Sequence, residues 1–478
     1  MARPNVILVV ADDMGYGDFG MFNDGYVETP TLDSMIRSGT HLSQQYAGSP
    51  VCAPSRAALL TGRYPIRTGA VTPNTFLGHD RLALDEVTIA DSFRAGGYST
   101  GLIGKWHNGA LDPRYHPNSR GFDEFVGFSR GWADYWEWQL DYNHKLVNSD
   151  GRYLTDVLTE EAVSFVTRHK DEPFFLVVAY NAPHHPLQAP ADLVEKYEQK
   201  GLAEGVAITY AMIEVMDRGL GRLLQSVHDN GLTDGTLVMF TSDNGPTFRG
   251  GHDRYRRLDH PRDGIVLDLT RFNIGLRGQK GSVYEGGIRV PMVLQWPDGI
   301  PGGREVRDFV HFVDWLPTLA RVCEVPLLKG RPLDGRDVWD EVLGEVTGPP
   351  PPRFWQLNQY LPIGPYVNAA MRDGPWKLVR PTIPGMRLAN ERDEELGRMY
   401  VETDIRHMFQ PEEVTKVLDW PEPEWIIPAP PAPELFNLDQ DPLEENDLAL
   451  HFPGRVAKMN ISLENWFEEV ESERQRLL

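Results

Sequence analysis

The sequence predicts an α/β protein, a large and mostly parallel sheet flanked by helices, followed by a smaller α+β unit with a short antiparallel sheet. Three observations carry that expectation. Apolar, β-branched runs alternate with amphipathic helical stretches through the first two thirds of the chain. Several of those runs end directly in a cluster of polar residues. Beyond a proline run at 349–352 the elements shorten and read as a hairpin, a strand and a terminal helix.

Taken in order, residues 6–10 form a continuous apolar run, as a strand buried on both faces requires, and Asp12-Asp13 follow. An apolar core this short, with two acids behind it and no small-residue cleavage site, reads as a strand rather than a signal peptide. Residues 29–39 open with Thr-Pro and close on Gly, the punctuation of a helix. Next comes the stretch 49–69, with Cys52, Pro54 at the expected first helical position, and a helical run behind it. Residues 87–95 read as a helix, and 98–103 as a strand ending in Gly104-Lys105-Trp106-His107. Residues 112–150 are rich in aromatics and weak in period. Residues 155–168 are an amphipathic helix, and 174–179 a buried strand leading to Pro183-His184-His185-Pro186. A long helix at 206–228 and a strand at 236–241 follow, the strand leading to Ser242-Asp243-Asn244-Gly245. Residues 290–295 are one more strand. The proline run sets the expected boundary, with one domain at 1–348 and a smaller one at 349–478. In the smaller one, 369–371 and 376–379 form a hairpin, 434–438 a strand, 421–433 an extended connector, and 453–474 a helix.

Composition limits the function. The chain has 47 basic and 69 acidic residues, a net charge of −22. That excludes general binding to nucleic acid or anionic membrane, and requires any anionic substrate to meet a local basic pocket. No apolar run approaches the roughly 20 residues of a membrane span. Two cysteines build no disulfide scaffold and fit a reducing compartment. The expected location is cytoplasmic as the sequence stands, or periplasmic or secreted if a leader precedes it. A homo-oligomer is left open.

The four polar clusters each follow an expected parallel strand, and ligands of open α/β sheets bind beyond the carboxyl ends of the strands. Asp12, Asp13, Asp243 and Asn244 offer only oxygen, and crowded carboxylates repel unless a cation joins them. Oxygen ligation points to Ca²⁺, with Mg²⁺ as the second choice, rather than Zn²⁺. Lys105, His107 and Lys280 supply positive charge and proton transfer; Lys280 lies among glycines that let backbone approach a ligand. Either His184 or His185 is the acid. Cys52 sits at a helix N-terminus, where unpaired N–H groups favour an anion or an activated nucleophile, with Arg56 one turn in. Cys323, in an apolar helical patch, reads as an inert buried thiol.

The run Cys52, Pro54, Ser55, Arg56, Thr61 and Gly62 resembles the sulfatase signature C-x-P-S-R followed by T-G. With the other clusters, the chain resembles the arylsulfatase type within the alkaline-phosphatase-like superfamily. The likeness is good over about residues 4–345 and looser in the C-terminal part, through Trp376–Val379 and Glu434–Ala449. The resemblance implies that Cys52 is converted to formylglycine (3-oxoalanine) by a transient formylglycine-generating enzyme, and that the aldehyde hydrate is the nucleophile. It implies Asp12, Asp13, Asp243, Asn244 and the modified Cys52 as Ca²⁺ ligands. Arg56 then steadies the hydrate, Lys105 and Lys280 clamp the sulfate, His107 is the base, and His184, from the pattern P-H-x-P, is the acid. Asn108 departs from the family's usual apolar residue.

The expected substrate is a sulfated small molecule or oligosaccharide. Trp132 and Trp136 offer a stacking wall for a sugar or aryl group. Arg249 and Arg254 offer a subsite for an anionic polymer, and Trp355, Gln356, Asn358 and Tyr360 are placed at the same mouth. The alternatives are a phosphodiester or phosphonate monoester hydrolase with the same apparatus, and a non-catalytic binding protein on this fold.

Overall fold

The computed structural model describes residues 3–250, 267–345, 348–358, 363–410 and 413–477. Ten strands form one mixed sheet. They are β1 (Asn5–Ala11), β2 (Thr40–Leu42), β3 (Ser99–Lys105), β4 (Glu124–Phe128), β5 (Gln139–Tyr142), β6 (Lys145–Asn148), β7 (Phe174–Ala179), β8 (Thr236–Ser242), β9 (Met292–Gln295) and β10 (Arg304–Val306). Their spatial order is β10-β2-β9-β8-β1-β7-β3-β4-β5-β6. The five central strands, β8-β1-β7-β3-β4, are mutually parallel.

The period-two geometry of a strand explains the core. Ile7, Val9 and Ala11 of β1 face one apolar layer, with the helices Leu154–Arg168 and Glu204–Asp229. Val6, Leu8 and Val10 face the other layer, with the helices Cys52–Thr61 and Trp315–Val322. Both faces are covered, so the strand is apolar throughout. Cys323 is fully buried in the second layer, and burial pushes its thiol up to about 12, which keeps it protonated. Among the described residues no helix is long and apolar enough to cross a membrane.

Three strands lie where the sequence shows weak period. Two of them, β5 and β6, pair as a hairpin on the sheet edge and are only partly buried, so no continuous apolar run marks them. Strand β9 runs antiparallel to both β8 and β2.

A second, four-stranded antiparallel sheet contains β11 (Arg353–Gln356), β12 (Ala369–Asp373), β13 (Trp376–Arg380) and β14 (Glu434–Asn437), in that order. The helix Pro453–Arg474 lays Met459, Leu463, Trp466, Phe467 and Val470 against Met371, Leu378 and Leu435 of this sheet. A further helix, Glu391–Phe409, was not anticipated; Asn390 caps it, accepting from the backbone N–H groups of Arg392 and Asp393. Lys377 of β13 is fully buried, and its Nζ lies 2.8 Å from both Glu285 and Glu444.

Candidate active site

Strand register decides which residues meet. Ala11 pairs with Ser242 across β1 and β8, so Asp12 and Asp243 leave neighbouring strand ends. Val10 pairs with Ala179 and Ala179 with Gly104, which brings the ends of β7 and β3 alongside. The polar clusters that follow these four strands share one crevice at the carboxyl edge of the sheet.

Carboxylate oxygens of Asp12, Asp13 and Asp243 all lie within 4.8 Å of one another, and so do ligand atoms of Asp12, Cys52 and His184. Each carboxylate faces its own cation. Lys105 donates to Asp12 at 2.5 Å, Lys280 to Asp13 at 2.8 Å, and Arg56 to Asp243 at 2.9 Å. Burial, then the Asp243 charge, pushes the Asp12 carboxyl well above the usual range. For Asp243, burial is outweighed by Arg56, Lys105 and Lys280, which hold it below.

The donor set fits a hard divalent cation. Oδ1 of Asp12 and Oδ1 of Asn244 are buried oxygens with no hydrogen-bond partner, which is costly unless something binds them. The Asn244 amide is oriented for this, because its nitrogen donates to Asp13 Oδ1 and to the Gly245 carbonyl, leaving the oxygen turned away. Asp12, Asp13, Asp243 and Asn244 could hold the ion.

Cys52 is the first residue of the helix Cys52–Thr61, 3% exposed, with Val51 as N-cap. Pro54 is the third helical residue rather than the first; its missing N–H still costs nothing within the first turn. His107 and Asp13 adopt left-handed backbone, at φ 52° and 71°. Such strain is tolerated where surroundings fix it, commonly at functional sites.

The two site imidazoles have defined tautomers. His107 Nε2 lies 3.0 Å from the Pro73 carbonyl, which can only accept, so Nε2 carries the hydrogen and Nδ1, buried and unpartnered, is the basic atom. Burial, then Lys105, lowers its pKa to about 3 and keeps the ring neutral. His184 Nδ1 donates to the His185 carbonyl at 2.8 Å, leaving Nε2 aimed at Asp13, 3.8 Å away. Burial, His185, Lys280 and Lys105 together hold the His184 ring neutral. His184 thus faces the crevice, while His185 turns to the Trp132 ring, 5.4 Å off.

The Lys280 loop is tied down by backbone. Lys280 N–H donates to the Pro246 carbonyl and Gly281 N–H to the Pro50 carbonyl. A Cβ on Gly245 would sit 1.9 Å from the Gly286 carbonyl oxygen. A Cβ on Gly286 would itself lie 2.4 Å from the Gly278 carbonyl oxygen, so both glycines serve close backbone-to-backbone packing rather than ligand approach.

Other expected residues fare differently. Trp132 is buried beside His185, whereas Trp136 is 38% exposed and packs on Tyr153. Trp355, Gln356 and Asn358 are buried; the Trp355 indole donates to the Ala47 carbonyl, so it braces the small sheet against the segment leading to Cys52 and does not line a mouth. Arg254 and Tyr360 lie outside the described residues, and Arg249 enters a two-residue strand with Leu267–Asp268. The end of β4 was missed from sequence. Residues 129–132 reach the crevice there, since a Cβ on Gly131 would lie 2.9 Å from the His107 ring, and Arg130 donates to the His407 carbonyl. The signal was the apolar triplet Phe125, Val126 and Phe128, diluted by Gly127. A separate group, His116, Asp141 and His144, is held internally. His116 Nδ1 accepts from Asn118 N–H and its Nε2 donates to Asp141.

Comparison with known proteins agrees with this geometry. The family model described as Sulfatase matches residues 4–325. Arylsulfatase J of Mus musculus is 29% identical over 96% of this chain and 75% of its own length. Arylsulfatase H of Canis lupus familiaris is 30% identical over 72% of this chain and 73% of its own. Among solved structures, Ps i-CgsB in complex with k-i-k-neocarrahexaose superposes with a TM-score of 0.76 at 30% identity, covering 97% of this chain and 92% of that one. The mixed sheet is the alkaline-phosphatase-like fold, the crevice at its carboxyl edge belongs to an enzyme that hydrolyses sulfate esters, and the chain is a member of the sulfatase family.

Proposed function

We propose that this sulfatase removes sulfate from a carbohydrate ester, with Ca²⁺ held by Asp12, Asp13, Asp243 and Asn244 and with Cys52 matured to formylglycine by a separate enzyme. The observation that carries the reading is the meeting of three buried carboxylates, each with its own cation, beside the buried Cys52. Three carboxylates against Arg56, Lys105 and Lys280 leave the crevice near neutral. A bound divalent cation raises it to a net charge of +2, which suits an anionic ester and an ionised nucleophile together. When present, the cation and the formylglycine supply Lewis acidity and the attacking hydroxyl.

The chain's own side chains supply the rest. Lys105 and Lys280 hold the sulfate oxygens and oppose the charge that builds on them in the transition state. Arg56, fixed by Asp243, keeps positive charge at the N-terminal end of the Cys52 helix. His107 Nδ1 receives a proton, since its Nε2–H is committed to Pro73. His184, as the imidazolium, donates from Nε2 to the departing alcohol oxygen, since its Nδ1–H is committed to the His185 carbonyl. An anionic ester against Lys105 and Lys280 offsets two of the charges that keep a proton off this ring. Trp136, partly exposed, offers a face for sugar stacking, while Trp132 is buried against His185. Arg249 and Arg254, which follow the metal ligands in the sequence, serve acidic groups further along the substrate.

Two measurements test the reading. Mass spectrometry of the Cys52 peptide reports maturation. A panel of sulfated oligosaccharides, aryl sulfates and matching phosphate esters, with and without added Ca²⁺ or Mg²⁺, reports ester and ion. Release of phosphate in preference to sulfate, or full activity of Cys52→Ala, sinks it.

A further inference from the structure

The Lys280 loop is gripped from two sides. On one side are the backbone bonds from Lys280 to Pro246 and from Gly281 to Pro50, which tie it to the metal-ligand loop and to the approach to Cys52. On the other side stands the small sheet. Asn368, immediately before β12, is 3% exposed and spans the loop with both ends of its amide. Its nitrogen donates to the Gly281 carbonyl at 2.7 Å, and its oxygen accepts from Val283 N–H at 3.3 Å. The residue is itself held in left-handed backbone at φ 45°, a conformation asparagine tolerates better than most residues, and its carbonyl accepts from Leu357 N–H. Farther along the same loop, Glu285 N–H donates to Glu444, and Arg277 donates to the Glu444 carbonyl.

We propose that Asn368 is a positioning residue for Lys280: the small sheet sets the ammonium's place over the sulfate through the Asn368 amide. The inference rests on the reading of Lys280 as a sulfate clamp. Lys280 has a long, flexible stem, so its reach is defined only if its backbone is. The Gly281 peptide lies between Lys280 and the Asn368 bond, and two glycines with positive φ, Gly278 and Gly281, bracket Lys280, so the shape of the loop depends on the bonds that hold it. A fixed partner outside the loop is then what holds geometry, as supporting hydrogen bonds do for groups that touch a ligand.

The test is a double-mutant cycle. Asn368→Gly removes both amide bonds while suiting the positive φ, so backbone strain is not introduced. Asn368→Asp keeps the shape and the acceptor and loses the donor. Each is made alone, and Asn368→Gly is also made in a Lys280→Ala background. Affinity for inorganic sulfate, the reaction product, is read by calorimetry, with kcat and KM for 4-nitrophenyl sulfate and the melting temperature alongside. We expect Asn368→Gly to weaken sulfate binding by about tenfold and to change KM and kcat in the same proportion as Lys280→Ala does. In the Lys280→Ala background the same change should cost less than about twofold. Asn368→Asp should fall between. Equal losses in both backgrounds, tracking the melting temperature, mean a purely structural residue and overturn the inference, as does wild-type sulfate affinity in Asn368→Gly. Wild-type affinity in Lys280→Ala, or no sulfate binding by the wild-type protein, instead removes the clamp reading itself.

Discussion

Lys377→Met is expected to loosen the small sheet from the main one. Lys377 is fully buried, with its ammonium 2.8 Å from Glu285 and 2.8 Å from Glu444. Removing one partner of a buried ion pair costs about 3–5 kcal/mol, because the other is left without compensation. Here the cost should sit at the low end. Glu285 keeps the Tyr46 hydroxyl, which donates to it at 2.6 Å, and Arg289 and Arg372 still act on it. Glu444 can shed its charge, since burial already raises it to about 7 with Lys377 in place. That pKa exceeds the unfolded value of 4.5, so the folded state binds the extra proton and stability falls as pH rises from 4.5 through 7. Without Lys377 the fall should be steeper and extend further up. Urea unfolding followed by tryptophan fluorescence at pH 6 and pH 8 measures this. We expect Lys377→Met to lose about 3 kcal/mol at pH 8 and less at pH 6, and a further Glu444→Gln to return part of the loss at pH 8. A loss under about 1 kcal/mol at pH 8, or no recovery in the double variant, would refute the view that the triad joins the sheets.

Further outcomes follow from the site. His107→Ala should lower turnover by about 10²–10⁴-fold with the melting temperature little changed, as steady-state kinetics will show. Stripping divalent ions with a chelator should abolish hydrolysis; rates regained on adding back Ca²⁺ or Mg²⁺ then identify the working ion. Arg56→Lys keeps a charge but loses the guanidinium fork on Asp243, and should reduce kcat/KM at least about tenfold. Glu473 faces Arg63, Arg67 and Arg331; its partial burial is outweighed by these cations, which lower its pKa to about 2. Its folded pKa lies below the unfolded 4.5, so its contribution is complete above pH 4.5 and is lost as pH falls toward 2. After discounting for partial exposure, Glu473→Gln should cost about 1 kcal/mol at pH 7 and nothing near pH 2, read by thermal melts across pH.

Strands β1, β7 and β8 were legible because each is buried on both faces and therefore largely apolar; residues 174–179 were read to the residue. The helix at 453–474 was equally plain, opening on proline and carrying an apolar stripe. Strands β5 and β6 were not, because an edge hairpin half open to water has no apolar pattern to read. The helix Glu391–Phe409 escaped because it is rich in charge and poor in apolar residues; its asparagine cap was the available signal. Asp12, Asp243, Lys105 and His184 could be named because each follows a recognisable strand. Choosing His184 over His185 from residues alone was out of reach, since adjacent residues differ only in which way the chain turns them. Asn368 could not be found from sequence at all. Its role depends on two loops far apart in the chain touching side by side.

The depth of Cys52 has a consequence for the order of events in the life of the chain. Its sulfur lies within 4.8 Å of ligand atoms on the loops that follow β1 and β7, and almost none of the residue reaches solvent. A side chain this deeply buried offers a modifying enzyme no access once the fold is complete. The maturation proposed for Cys52 would therefore come while the N-terminal segment is still unpaired, before β7 is laid beside β1, and a molecule that folds first would keep the thiol.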